Sequence, residues 1–172
     1  GESFTYDFVA AAGPEVGMYH SHHHAEHQVP DGLMGAFLVG EEPNEGNAIS
    51  QEVPMVLNDA GVIGLSLNGK AFPETAPIAA KKGDYFLINF FNEGLLGHPM
   101  HLHRQSQLIV AKDGFALAEP YQADTIWIGP GERYSVLVHA DEIGTWAFHC
   151  HILNHAESDA GLTGMVTALI VS

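Results

Sequence analysis

The 172-residue chain has one cysteine, six basic residues and no long apolar run. A single cysteine excludes an intrachain disulfide, so cysteine usage does not fix a redox compartment. Six Lys and Arg against 21 Asp and Glu give a formal net charge of −15. That balance argues against nucleic acid and against an anionic membrane as partners, because both require basic patches. The longest apolar stretches, such as Phe86-Leu87-Ile88-Asn89-Phe90-Phe91, have strand length and fall well short of the roughly 20 residues of a membrane span. No amphipathic pattern supports a helix, apart from a short one over 152–159. The sequence opens on Gly1, and its first residues do not read as an initiator methionine or a signal peptide. Gly1–Phe8 reads as a turn entering a strand, from which an N-terminal segment of the native polypeptide is expected to be missing.

What is present points to an all-β protein. Nineteen glycines and nine prolines supply many turns, and 46% of residues are hydrophobic, enough for a buried core. Runs with β-branched and aromatic content, punctuated by Gly and Pro, predict strands at 3–10, 16–21, 33–39, 54–58, 62–67, 84–91, 100–110, 124–128, 133–139, 144–149 and 163–171. Many short strands at fairly regular spacing indicate a sandwich or barrel. The polar stretch Glu41-Glu42-Pro43-Asn44-Glu45-Gly46-Asn47 reads as an interdomain linker. It divides the chain into residues 1–46, the end of one domain plus the linker, and 47–172, a complete domain.

Twelve histidines stand out, and their spacing separates some of them from ordinary surface imidazoles. The first cluster is Tyr19-His20-Ser21-His22, the second His98-Pro99-Met100-His101-Leu102-His103, the third His149-Cys150-His151-Ile152-Leu153-Asn154-His155 with Gly164-Met165 beyond it. A soft thiolate, imidazoles and a thioether in one short segment are the ligand set of a blue copper site. Side chains two apart on a strand share a face and adjacent ones do not. His149 and His151 therefore lie opposite Cys150, and His101 shares a face with His103. Cys150, His98, His155 and an axial Met165 would form one mononuclear site. His20, His22, His101, His103, His149 and His151 would converge on a second, one residue away through the backbone. His23, His24 and His27 read as bystanders in a loop. Closed zinc sites use paired cysteines or Cys/His sets, and one cysteine among patterned histidines fits copper better.

The second and third clusters closely resemble the copper-binding motifs of multicopper oxidases, and Tyr19–His22 followed by Gly32–Val39 resembles the end of that family's first cupredoxin domain. The resemblance implies a cupredoxin-like Greek-key β-sandwich or barrel, one complete domain plus the C-terminal strands of a preceding one. It implies type 1 copper on His98, Cys150, His155 and Met165, a type 2 ligand in His101, and type 3 ligands in His20, His22, His103, His149 and His151. About four coppers per complete protomer follow from that ligand pattern. The implied activity is laccase-like: single electrons taken from phenol-like or other small reducing donors, and O2 reduced to water at a trinuclear cluster. Two-domain relatives are typically homotrimers with clusters between subunits, and a secreted or periplasmic location is expected by resemblance. The chain departs from the family twice. Ten residues separate His155 from Met165, more than usual, which Gly164 accommodates if it turns Met165 back under the metal. The family's first His-x-His pair has no match, and that ligand segment is expected from the missing N-terminal part or from another chain. A copper nitrite reductase lacks the type 3 pair, and a cupredoxin electron carrier leaves six histidines unused. Asp59, Glu157 and Asp159 are weak candidates for a proton-delivering carboxylate. Trp127, Trp146 and His139 read as structural.

Overall fold

The computed structural model describes residues 1–10 and 15–172. Strand β1 (Glu15–His20) pairs antiparallel with β2 (Met34–Val39), and a short helix α1 (Ala25–Gln28) lies in the loop between them. The chain then builds two facing sheets. β3 (Ile49–Ala60), β4 (Gly64–Leu67), β5 (Ile78–Ala80), β6 (Tyr85–Asn92), β7 (His98–Leu102) and β8 (Gln107–Lys112) come first. They are followed by β9 (Phe115–Ala123), β10 (Thr125–Ile128), β11 (Arg133–His139) and β12 (Gly144–Cys150). A 3-10 turn at Leu153–His155 leads into a small hairpin, β13 (Glu157–Ser158) and β14 (Gly161–Leu162), and the last strand is β15 (Val166–Val171).

One sheet runs β10-β7-β12-β15-β5 and the other β4-β3-β6-β11-β8-β9. Most connections cross between the sheets, and the result is an all-β, cupredoxin-like sandwich. Alternation along β6 shows how the core forms: Phe86, Ile88 and Phe90 enter the space between the sheets, while Leu87 joins Val110 and Leu137 in a smaller cluster of its own. Phe90 of one sheet meets Phe148 of the other edge to face, with centroids 5.9 Å apart. The β1–β2 hairpin is tied to the six-stranded sheet where Arg133 Nε donates to the Val16 carbonyl at 2.8 Å. No helix among the described residues is long and apolar enough to cross a membrane.

Several strand expectations need correction. Residues 3–10 are exposed and unpaired despite the alternation of Phe4, Tyr6 and Phe8, because alternation makes a strand only where a sheet offers a partner. The run 100–110 is two strands. β7 and β8 lie in different sheets, and the chain changes sheets between them through Arg104, which adopts a left-handed φ of 69°. β5 and β9 went unread. β9 is largely exposed, so it carries no apolar alternation to signal it. The short helix over 152–159 is one 3-10 turn followed by the β13–β14 hairpin.

Candidate metal centre

β7 and β12 are neighbours in the five-stranded sheet, and their register places Cys150 opposite Met100 and His149 opposite His101. The two-residue period then sorts the side chains. His98, Met100 and Leu102 of β7 and Cys150 of β12 are fully buried between the sheets. His101 of β7 and His149 of β12 emerge from the other face. His98 thus lies within the strand, on the inner parity, where the sequence reading had put it in a turn.

On the inner face, Cys150 Sγ lies 3.7 Å from His98 Nδ1 and 3.7 Å from His155 Nδ1. His155 arrives from the 3-10 turn after β12 and is 6% exposed, so it retains the little surface this group has, while His98 has none. The donor atoms of the three residues lie within 4.8 Å of one another. Bonds of roughly 2.3 Å to sulfur and 2.0 Å to nitrogen, meeting near 120°, put S and N about 3.7 Å apart. The spacing fits one trigonal ion, and a thiolate with two imidazoles is the donor set that copper favours. Burial pushes the Cys150 thiol up to about 11, so it keeps its proton until a metal displaces it. Burial also holds His98 below the ordinary imidazole range, against the opposing pull of Asp59, and leaves it neutral, as a ligand must be.

Met165 is fully buried in the same cluster as Cys150. Its carbonyl accepts from the Cys150 N–H at 3.0 Å, and its own N–H donates to the His155 carbonyl at 2.8 Å. Gly164 makes this return possible: its φ is +65°, and a Cβ there would overlap the His155 carbonyl oxygen. Left-handed backbone alone costs a larger residue about 1–2 kcal/mol. The extra residues between His155 and Met165 are taken up by the β13–β14 hairpin, so the longer spacing still brings the Met165 backbone back to pair with Cys150.

On the opposite face four imidazoles gather. Ring centroids of His101 lie 4.8, 5.7 and 5.4 Å from those of His103, His149 and His151. His101 Nδ1 donates to the Asp124 carbonyl and contacts Thr125 Oγ1, and His149 Nδ1 donates to the Cys150 carbonyl. In the neutral tautomer that makes these bonds, Nε2 is the nitrogen with the available lone pair. His103 Nε2 meets His149 Nε2 at 3.0 Å. Partial burial, with His101, His149 and His151 close by, holds His103 below its ordinary pKa. His20 and His22 stack on each other at 4.9 Å. Among the described residues they make no ring contact with the other four.

The sequence reading missed the role of one residue. Asp59, at the end of β3, accepts from His98 Nε2 at 2.9 Å, from Leu95 N–H at 3.0 Å and from Leu96 N–H at 2.7 Å. It serves the Cys150 face, not the imidazole group. Glu157 and Asp159 are exposed on the small hairpin. Trp127 is more than half exposed, whereas Trp146 is tied through Nε1 to the Glu142 carbonyl. His139 stacks on Tyr85 at 4.3 Å.

Comparison with known proteins gives the same picture. The multicopper oxidase family profile matches residues 46–170. Copper resistance protein A of Escherichia coli is 36% identical over 92 residues, 54% of this chain and 15% of that protein. The blue copper oxidase from Nitrosomonas europaea superposes with a TM-score of 0.88 at 29% identity, over 99% of this chain and 60% of that one. The multicopper oxidase mgLAC gives 0.81 at 30% identity, over 90% of this chain and 55% of that one. The chain thus spans less than two thirds of each of these relatives. With a matched profile over most of its length, a cupredoxin-like sandwich and a Cys-His-His donor set at metal-ligand spacing, the chain belongs to the multicopper oxidase family.

Proposed function

We propose that the protein is a laccase-like oxidase of the two-domain kind, in which residues 1–46 end a first cupredoxin domain and 47–172 form the second. His98, Cys150, His155 and Met165 would hold a type 1 copper. His101 would bind type 2 copper, and His20, His22, His103, His149 and His151 type 3 coppers. Copper held in these sites supplies one-electron oxidation of small reducing donors, phenol-like molecules among them, and four-electron reduction of O2 to water. The protein's own contribution is placement. The inner face of β12 buries the thiol away from water, the outer face presents His149 and His151, and one peptide unit joins the two.

The observation that carries this reading is the opposite placement of Cys150 and His149 on one strand, each beside its own set of imidazoles. An electron carrier has no use for the outer imidazoles, and a nitrite reductase none for a histidine on both sides of the cysteine. The separation of His20 and His22 from the other four supports a cluster completed between copies of the chain, in a homotrimer. The unmatched His-x-His ligands would come from a segment N-terminal to this chain or from another chain. A secreted or periplasmic site of action goes with this reading. The complete protein, loaded with copper, is expected to consume oxygen when given a phenolic or other reducing donor and to hold about four coppers per protomer. One copper per protomer with no oxygen uptake would refute it.

A further inference from the structure

We propose that Asp59 is the positioning residue of the Cys150 centre: it fixes His98 in the tautomer whose Nδ1 faces the sulfur, and its charge biases bound copper toward the oxidised state. The proposal rests on the copper reading of that centre. Its basis is geometric. The Asp59 side chain is 3% exposed, and all three of its hydrogen bonds run to the segment that carries His98.

A carboxylate only accepts, so His98 Nε2 carries the proton and Nδ1 is left unprotonated toward Cys150. Among the described residues the His98 ring makes polar side-chain contacts only with Asp59 and the Cys150 sulfur, so without Asp59 nothing fixes the proton on Nε2. The two backbone bonds hold Leu95 and Leu96 in place, and both side chains are more than half exposed. Asp59 therefore also fixes the short loop between β6 and β7 that carries His98. The packing leaves no slack: a Cβ on Gly94 would sit 2.7 Å from Asp59 Oδ2.

Among the described residues no Lys or Arg pairs with Asp59, and its one side-chain partner is the neutral His98 ring. Its negative charge in a poorly screened interior is thus directed along the imidazole toward the metal position. Opposite charges attract more strongly at low dielectric, and a divalent ion gains more from a nearby anion than a monovalent one. Carboxylate–imidazole–metal arrangements raise ligand basicity for the same reason.

The test compares Asp59→Asn and Asp59→Ala with the wild type in the copper-loaded native assembly. Asparagine keeps the shape and an oxygen for the His98 Nε2–H but removes the charge. It should retain the intense thiolate-to-copper band and shift the type 1 potential to more positive values. Alanine removes the orientation as well, and should weaken copper binding at this centre by about 10–100-fold. A merely structural carboxylate would lower the melting temperature of the copper-free protein in both variants and leave the Asp59→Asn potential where it was; that result overturns the proposal even if the alanine variant does not fold. A wild type without the thiolate-to-copper band overturns the copper reading itself, and this proposal with it.

Discussion

Replacing Cys150 with serine is expected to abolish the thiolate-to-copper band and to bring donor oxidation down to background, with the sandwich still folded. The thiolate is the one anionic donor in a pocket otherwise made of two imidazoles and Met165. A serine hydroxyl stays protonated where a metal would have displaced the thiol proton. The substitution nearly preserves volume in a fully buried position. Its structural cost is that of a buried hydroxyl without a dedicated partner, about 1–3 kcal/mol, against a total stability of about 5–15 kcal/mol for a domain of this kind. Visible absorption, oxygen uptake and a thermal melt read the three quantities separately. Donor oxidation at the wild-type rate would refute Cys150 as the point of electron entry.

His149→Ala should give the complementary phenotype. The two side chains are adjacent in sequence but leave β12 on opposite faces, and the strand between them is held by β7 and β15 on either side. Loss of the imidazole should spare the Cys150 centre, so the blue band remains and a donor still bleaches it under anaerobic conditions. Recolouring in air should slow by roughly 100-fold or more, since even a partner one shell outside a metal ligand is worth 10–100-fold. His103, whose Nε2 meets His149 Nε2 at 3.0 Å, should show the same defect when replaced. Bleaching followed by reoxidation at the wild-type rate would break the assignment of the outer face to oxygen.

These two results depend on a feature that was legible in the sequence, because it is local. Two-residue alternation fixes which way His149, Cys150 and His151 point once β12 is a strand, and Gly164 announces a turn before Met165. What was not legible depends on contacts far apart in the chain. Asp59 lies 39 residues before His98, and nothing around it distinguishes a buried second partner from a surface acid. The change of sheets falls at the polar run His103-Arg104-Gln105-Ser106, a break hidden because the alternation of the histidine motif carries through it. β9 was missed for the converse reason, being too exposed to alternate. Residues 3–10 alternate as a strand should, yet remain unpaired, since pairing is decided by a neighbour and not by the segment itself. His20 and His22 had the spacing of ligands, and their lack of ring contact with the other four imidazoles among the described residues fits the expectation that they meet the imidazoles of another copy.

The proposed oxidase requires one strand to serve two metal sites, one on each face. Anomalous diffraction at the copper edge from crystals of the copper-loaded protein tests it most directly. One peak is expected within bonding distance of Cys150 Sγ, His98 Nδ1 and His155 Nδ1, and a separate group of peaks across β12 against His101, His103, His149 and His151. A single peak on the Cys150 side, with nothing bound to the four outer imidazoles, would contradict it.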